Sequence, residues 1–266
     1  MPAVSERRIA VVTGAAAGIG AAVARTLARD GYSLALLDRD DVELKRVTAE
    51  LAETIVEGAD IESHVVDVTD RQAVDAAVAS TMDTFGRIDA LAHVAGILDT
   101  GSVLDSDPDQ WRKIFGVNVF GLLNVLQSVG LEMRRQRTGS IVVVSSNAAG
   151  VPRIGMGAYG SSKAAATMLV RTAGLELAAD GIRVNVVAPG STDTAMQRSL
   201  WSDPSDDSGA DAVIEGNLAS YRLGIPLGKL ATADDIAESV HFLLSDRAAH
   251  ITMQALYVDG GATLKA

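Results

Sequence analysis

The stretch SSNAAGVPRIGMGAYGSSK, Ser145 to Lys163, sets serine, tyrosine and lysine around one point. Tyr159 and Lys163 are four residues apart, so on a helix the phenol and the ammonium share one face. A free phenol has a pKa of about 10 and is a poor base at neutral pH, but a cation within about 4 to 6 Å favours the phenolate. Tyr159 is therefore a candidate general base, with Lys163 to lower its pKa. Ile141 to Val144 is apolar and β-branched, a buried strand, so Ser145 and Ser146 leave its carboxyl end. Open parallel sheets bind ligands at that edge.

The elements that must hold these groups alternate along the chain, short apolar runs with amphipathic segments, which predicts a parallel sheet flanked by helices. Seven strands are expected, near Ile9 to Thr13, Ser33 to Asp38, Ile61 to Asp67, Ala90 to Val94, Ser140 to Ser145, Arg183 to Ala188 and Gln254 to Val258. Helix starts are signalled by Thr69 with Gln72, Asp107 with Pro108 and Gln110, and Thr232 with Asp235. Trp111, Phe115, Asn118, Leu122, Val125 and Val129 make one buried helical stripe that Asn118 interrupts. A core asparagine with satisfied hydrogen bonds is the usual account, yet this helix would point it at the Tyr159 site. The polar run Ser202 to Asp211 cannot bury a core, and 191–226 reads as a mobile substrate lid.

The first strand ends in TGAAAGIG, placing Gly14, Gly18 and Gly20 in a strand-to-helix turn where backbone amides can approach a pyrophosphate. Its spacing differs from GxGxxG, and such turns also serve only to pack a helix on a sheet. Asp38 strengthens the reading: it ends the second strand 18 residues after Gly20, where a carboxylate accepts ribose hydroxyls and repels a 2′-phosphate. NAD is expected over NADP, a preference that Arg39 would soften. Asp67 meets the adenine or is a capping or loop aspartate. After the sixth strand, Pro189 and Gly190 reach the carboxyl edge, with Thr192 and Thr194 able to bond a ligand amide. Met156 and Trp201 are core or pocket wall. For a substrate carboxylate, Arg153 in the loop before Tyr159 competes with Arg198, beside Gln197 in the lid.

Composition narrows the classes. The 266 residues, 48% hydrophobic and without an internal repeat or a run of 18 apolar residues, suit a single domain, 1–266. The opening MPAVSERRIAVVTG has no apolar leader region, so the expectation is cytoplasmic, with no membrane partner. Zero cysteines exclude disulfides, thiolate catalysis and cysteine metal sites, and the four histidines lack ligand spacing, so no metal is expected. A net charge of −11 with dispersed Lys and Arg argues against a nucleic-acid surface.

Together these motifs resemble the short-chain dehydrogenase/reductase family over essentially the whole chain. The resemblance implies a single-domain Rossmann-type doubly wound α/β sheet of seven parallel strands with helices on both faces, and a homotetramer built on the helices carrying Asn118 and Tyr159. It implies a catalytic tetrad of Asn118, Ser146, Tyr159 and Lys163, in which Lys163 binds the nicotinamide ribose, Ser146 the substrate oxygen and Asn118 a relay water. It implies NAD contacts from Gly14, Gly18, Ile19, Gly20, Asp38, Arg39, Asp67, Val68, Ala95, Gly96, Pro189, Gly190, Thr192 and Thr194, alongside Tyr159 and Lys163. The pocket would be completed by Ser146, Arg153, Met156, Gln197, Arg198 and Trp201. One departure is His93, where the family usually has asparagine, a position tied to sheet-to-loop bonding. PRIGMGAYGSSKAA, PGSTDTAMQRSLW, RLGIPLGKLA and HITMQALYVDGGATL further resemble members that oxidise the C3 hydroxyl of a 2,3-dihydro aromatic acid with aromatisation. With a hydroxyl at C2 the product is 2,3-dihydroxybenzoate for siderophores; with an amine it is 3-hydroxyanthranilate for antibiotics. The competing class, a noncatalytic NAD-binding protein, has no need of all four tetrad residues.

Overall fold

In the computed structural model, which describes residues 7–264, seven strands pair in parallel in the order β3-β2-β1-β4-β5-β6-β7. They are β1 Ile9–Thr13, β2 Ser33–Asp38, β3 Ile61–Val65, β4 Ala90–His93, β5 Gly139–Val144, β6 Ile182–Pro189 and β7 Ala255–Val258. All five side chains of β1 are buried, because helices cover both faces of a parallel sheet. One core layer packs β1, β2 and β5 against α1 Gly18–Arg29, α2 Asp41–Ala52 and α9 Ala233–Leu244. The other packs the opposite face against α3 Arg71–Phe85, α5 Leu122–Gln136 and α6 Gly157–Leu177. The first six residues of the amino-terminal stretch lie outside the described residues.

Most of the expected boundaries hold within a residue or two, and the exceptions have local causes. The third strand ends at Val65, and Asp67 sits beyond it, accepting the Thr69 amide and hydroxyl at 2.8 and 2.7 Å. That turn takes Thr69 away from capping α3; the cap is Asp70, whose carboxylate accepts the Gln72 and Ala73 amides. Asp107 does cap α4 Pro108–Phe115, and Thr232 with Asp235 forms the capping box of α9. The buried stripe begins at Ile114 rather than at the half-buried Trp111 and Phe115.

Asn118 falls in a π-helical turn, Gly116–Gly121, between α4 and α5. Together these segments run from 108 to 136, long and apolar enough to cross a bilayer, but Leu122, Val125 and Val129 are fully buried against the sheet. The segment 191–226 is more structured than its polar composition predicts. It holds α7 Ala195–Arg198 and α8 Ser208–Glu215, and Gly209 on α8 packs so closely on Trp201 that a Cβ would stand 2.4 Å from the indole. Serine and aspartate at 202–207 turn the chain, while the apolar end of α8 buries Val213.

Candidate active site

The sheet reverses its winding between β1 and β4, and a cavity of about 310 Å³ opens there, across the carboxyl ends of β1, β4, β5 and β6. On one side lies the glycine turn. Gly14 and Gly18 have φ of 68° and 52°, and a Cβ on Gly20 would stand 1.9 Å from the Gly14 carbonyl oxygen, so the turn can close this tightly only without side chains. No side chain caps the start of α1 and no acidic residue lies in its first turn, leaving its amides and positive dipole end facing the cavity. Asp38 lines the wall beyond, its carboxylate oxygens accepting the Ala16 and Asp40 amides at 3.0 Å each. A second hollow continues past Asp38 to Arg39, Asp67 and Val68. Ile19, Ala95, Gly96, Pro189, Gly190, Thr192 and Thr194 line the main cavity. A narrow glycine cradle at a helix start, with a carboxylate at the end of the next strand, fits a dinucleotide: pyrophosphate on the amides, ribose hydroxyls on Asp38.

Ser146, Tyr159 and Lys163 line the opposite wall. Ser146 sits just past β5, and its hydroxyl accepts the Ala148 amide at 3.1 Å. Burial pushes the Tyr159 phenol up from its ordinary pKa; the Ser146 hydroxyl and the Arg153 charge oppose that shift. The lowering expected from Lys163 thus comes here from Ser146 and Arg153. Lys163 is itself buried, its pKa brought down to about 8 by loss of solvent, and it donates to the Val144 carbonyl at 3.1 Å.

Asn118 does not face the cavity. Its amide donates to the Ile97 carbonyl at 2.9 Å and to Ser162 Oγ at 3.0 Å, and its Oδ1 accepts the Ile97 amide at 2.9 Å. It braces the loop after β4, where a Cβ on Gly96 would stand 3.1 Å from Lys163 Nζ and 3.2 Å from Asn118 Oδ1.

The substrate side separates the two arginines. Arg153 lines the cavity and donates to Asn147 Oδ1 at 2.9 Å. Arg198 points away from it, gripped in two places by Asp193 at 2.6 and 2.9 Å, paired with Asp207 at 3.0 Å and stacked over Trp201. Neither Arg198 nor Trp201 is a wall of the cavity, since both are tied into the fold of 193–209. Met156 and Gln197 are walls, joined by Met196, Leu200 and Arg222. Sequence motifs did not single out Arg222, although it heads the stretch RLGIPLGKLA.

The family model described as enoyl-(acyl carrier protein) reductase matches residues 14–263, and the chain belongs to the short-chain dehydrogenase/reductase family of oxidoreductases. It is 49% identical over 259 residues, 97% of both chains, to the 2,3-dihydro-2,3-dihydroxybenzoate dehydrogenase of Bacillus subtilis. It is 47% identical over 199 residues, 75% of both chains, to the vibriobactin-specific 2,3-dihydro-2,3-dihydroxybenzoate dehydrogenase of Vibrio cholerae. Among solved structures, levodione reductase superposes with a TM-score of 0.89 at 29% identity, covering 97% of this chain and 98% of its own.

Proposed function

We propose that this protein oxidises the C3 hydroxyl of 2,3-dihydro-2,3-dihydroxybenzoate with NAD, giving 2,3-dihydroxybenzoate for a catechol siderophore. The observation that carries the reading is the meeting of Tyr159, Ser146 and the Arg153 guanidinium in one cavity beside the glycine turn. Relatives named for this reaction match the chain nearly end to end.

Tyr159, as phenolate, removes the proton from the C3 hydroxyl, while Ser146 donates to the same oxygen and holds C3 in place. NAD, when bound, accepts the hydride from C3. Lys163 holds the nicotinamide ribose and hands on the proton that Tyr159 collects, and Asn118 fixes the Gly96–Ile97 backbone beside Lys163. Arg153 takes the carboxylate at C1. The resulting ketone is the keto form of a catechol, so it enolises to an aromatic ring and the oxidation runs one way. Asp38 favours NAD by repelling a 2′-phosphate. Four such subunits associate through the faces of α6 and of α5 with the π turn before it, where Phe120, Leu131, Met168 and Leu175 stand exposed on one chain, and the enzyme works in the cytoplasm.

The test is to incubate the protein with NAD and the dihydro acid while following NADH and the ring product. Stoichiometric 2,3-dihydroxybenzoate, with no back reaction under excess NADH, supports the reading; no turnover refutes it.

A further inference from the structure

Arg222 reaches the cavity from the far end of the 191–226 segment, by a route that constrains it closely. The Asn217 amide donates to the Arg222 carbonyl at 2.7 Å and the Arg222 amide returns the bond at 2.9 Å, closing a short turn. The turn is seated by two interlocked glycines. Gly216 and Gly224 have φ of 80° and 82°, and a Cβ on Gly216 would stand 2.3 Å from the Gly224 nitrogen, while one on Gly224 would stand 2.3 Å from the Ile214 oxygen. The guanidinium then donates to Ser191 Oγ at 3.0 Å, on the loop that leaves β6.

Arg153 approaches from the other side. Both side chains are half-buried where they line the cavity, partial burial lowers the pKa of each, and Arg222 further lowers that of Arg153. Among the described residues neither forms an ion pair. The Asp259 carboxylate acts on Arg153 but is engaged elsewhere: it accepts from Asn147 Nδ2, from the Gly261 and Thr263 amides and from Thr263 Oγ1. Two cations facing one partly desolvated cavity repel until an anion joins them.

We infer that Arg153 and Arg222 form a two-arginine anion site that selects a planar carboxylate, with Arg222 the specificity residue delivered by the Gly216–Gly224 turn. This rests on the proposed reaction for the identity of the substrate, its ring and the meta placement of its hydroxyl, but not for its carboxylate. The site takes cyclic monocarboxylic acids whose reacting hydroxyl lies meta to the carboxylate, so that the acid meets the arginines while the hydroxyl meets Tyr159 and Ser146. A neutral alcohol would leave both cations uncompensated.

Calorimetry on the full chain with NAD, using 3-hydroxybenzoate and 3-hydroxybenzamide as probes, tests this without turnover. The acid should bind at least about tenfold more tightly than the amide, the worth of a charge-assisted pair. Arg222→Gln and Arg153→Gln should each remove that preference while NAD affinity is unchanged, and Arg222→Lys should restore part of it. Gly224→Ala, which misplaces the turn without touching a charge, should weaken the acid selectively. Equal binding of acid and amide by the unaltered protein, or an unchanged preference in Arg222→Gln, overturns the inference. Steady-state kinetics separate the two readings. If the dihydro acid is oxidised but Arg222→Gln leaves its KM unchanged, the role of Arg222 falls and the reaction stands. If the dihydro acid is not oxidised but the arginines still select acids, the anion site stands and the substrate is another acid.

Discussion

Lys163 Nζ lies 5.9 Å from the centroid of the Tyr159 ring and donates to the Val144 carbonyl. Burial raises the pKa of the phenol and lowers that of the ammonium, so in the free protein at neutral pH the proton stays on Tyr159. The two groups share one buried wall, and loss of solvent is the largest influence on each.

A pH dependence follows for the rate. If Tyr159 must lose its proton before the substrate can, kcat/KM should climb from pH 6 toward pH 9, and Tyr159→Phe should lower kcat by about 10² to 10⁴ with NAD affinity nearly intact. A flat profile over that range, or a variant keeping more than a tenth of wild-type kcat, would sink the assignment of Tyr159 as base.

On the proposed reading, Asp38 should set the choice of dinucleotide. Asp38→Ala removes the charge that repels a 2′-phosphate and also strips the acceptor from the Ala16 and Asp40 amides. NAD should bind about tenfold or more weakly, and the ratio of NADP to NAD use should rise. Fluorescence titration with both dinucleotides checks this; a wild-type preference for NADP would contradict it.

His93 should make the fold acid-sensitive. Thr13 Oγ1 accepts the Val94 and Ala95 amides at 3.2 Å each, so its proton goes to His93 Nδ1 at 3.0 Å and the imidazole carries its own proton on Nε2, which is buried without a partner among the described residues. Burial and the Lys163 charge bring the pKa of His93 down to about 3. Between pH 6.5 and 3 the unfolded chain therefore binds a proton that the native state refuses. Stability present above pH 6.5 is lost as the pH falls through that window, by up to about 1.4 kcal/mol per pH unit. Denaturant unfolding of wild type and His93→Asn at pH 7, 5.5 and 4.5 measures it. The variant should lose less on acidification, and equal losses would rule His93 out as the cause.

The strands, the glycine turn, Asp38 and the Tyr159–Lys163 pair were legible because each depends on local chemistry: apolar runs, missing Cβ atoms, a strand end, a helical spacing. Asn118 was found by its type and its place in the buried stripe, but its partners were not, because Ile97 and Ser162 meet it across the fold at the π turn Gly116–Gly121. Thr69 lost the cap of α3 to Asp70 for a similarly local reason, the hydrogen bonds of Asp67. The arginines were beyond reach of sequence. Arg198 faces away because Asp193 and Asp207 hold it, while Arg222 enters the cavity only through a turn whose two glycines meet across eight positions of chain.

The apolar faces of α5 and α6 should be covered in solution. Sedimentation at micromolar concentration should give a species near four chain masses, and Met168→Glu with Leu175→Glu should dissociate it; a wild-type monomer would contradict the assembly.

The most direct test of the proposed reaction is to compare initial NADH formation on 2,3-dihydro-2,3-dihydroxybenzoate and on 2,3-dihydro-3-hydroxyanthranilate, side by side at equal concentration. The dihydroxy acid should show the higher kcat/KM, with 2,3-dihydroxybenzoate formed one for one with NADH; preference for the amino compound, or turnover of neither, would contradict the proposed reaction.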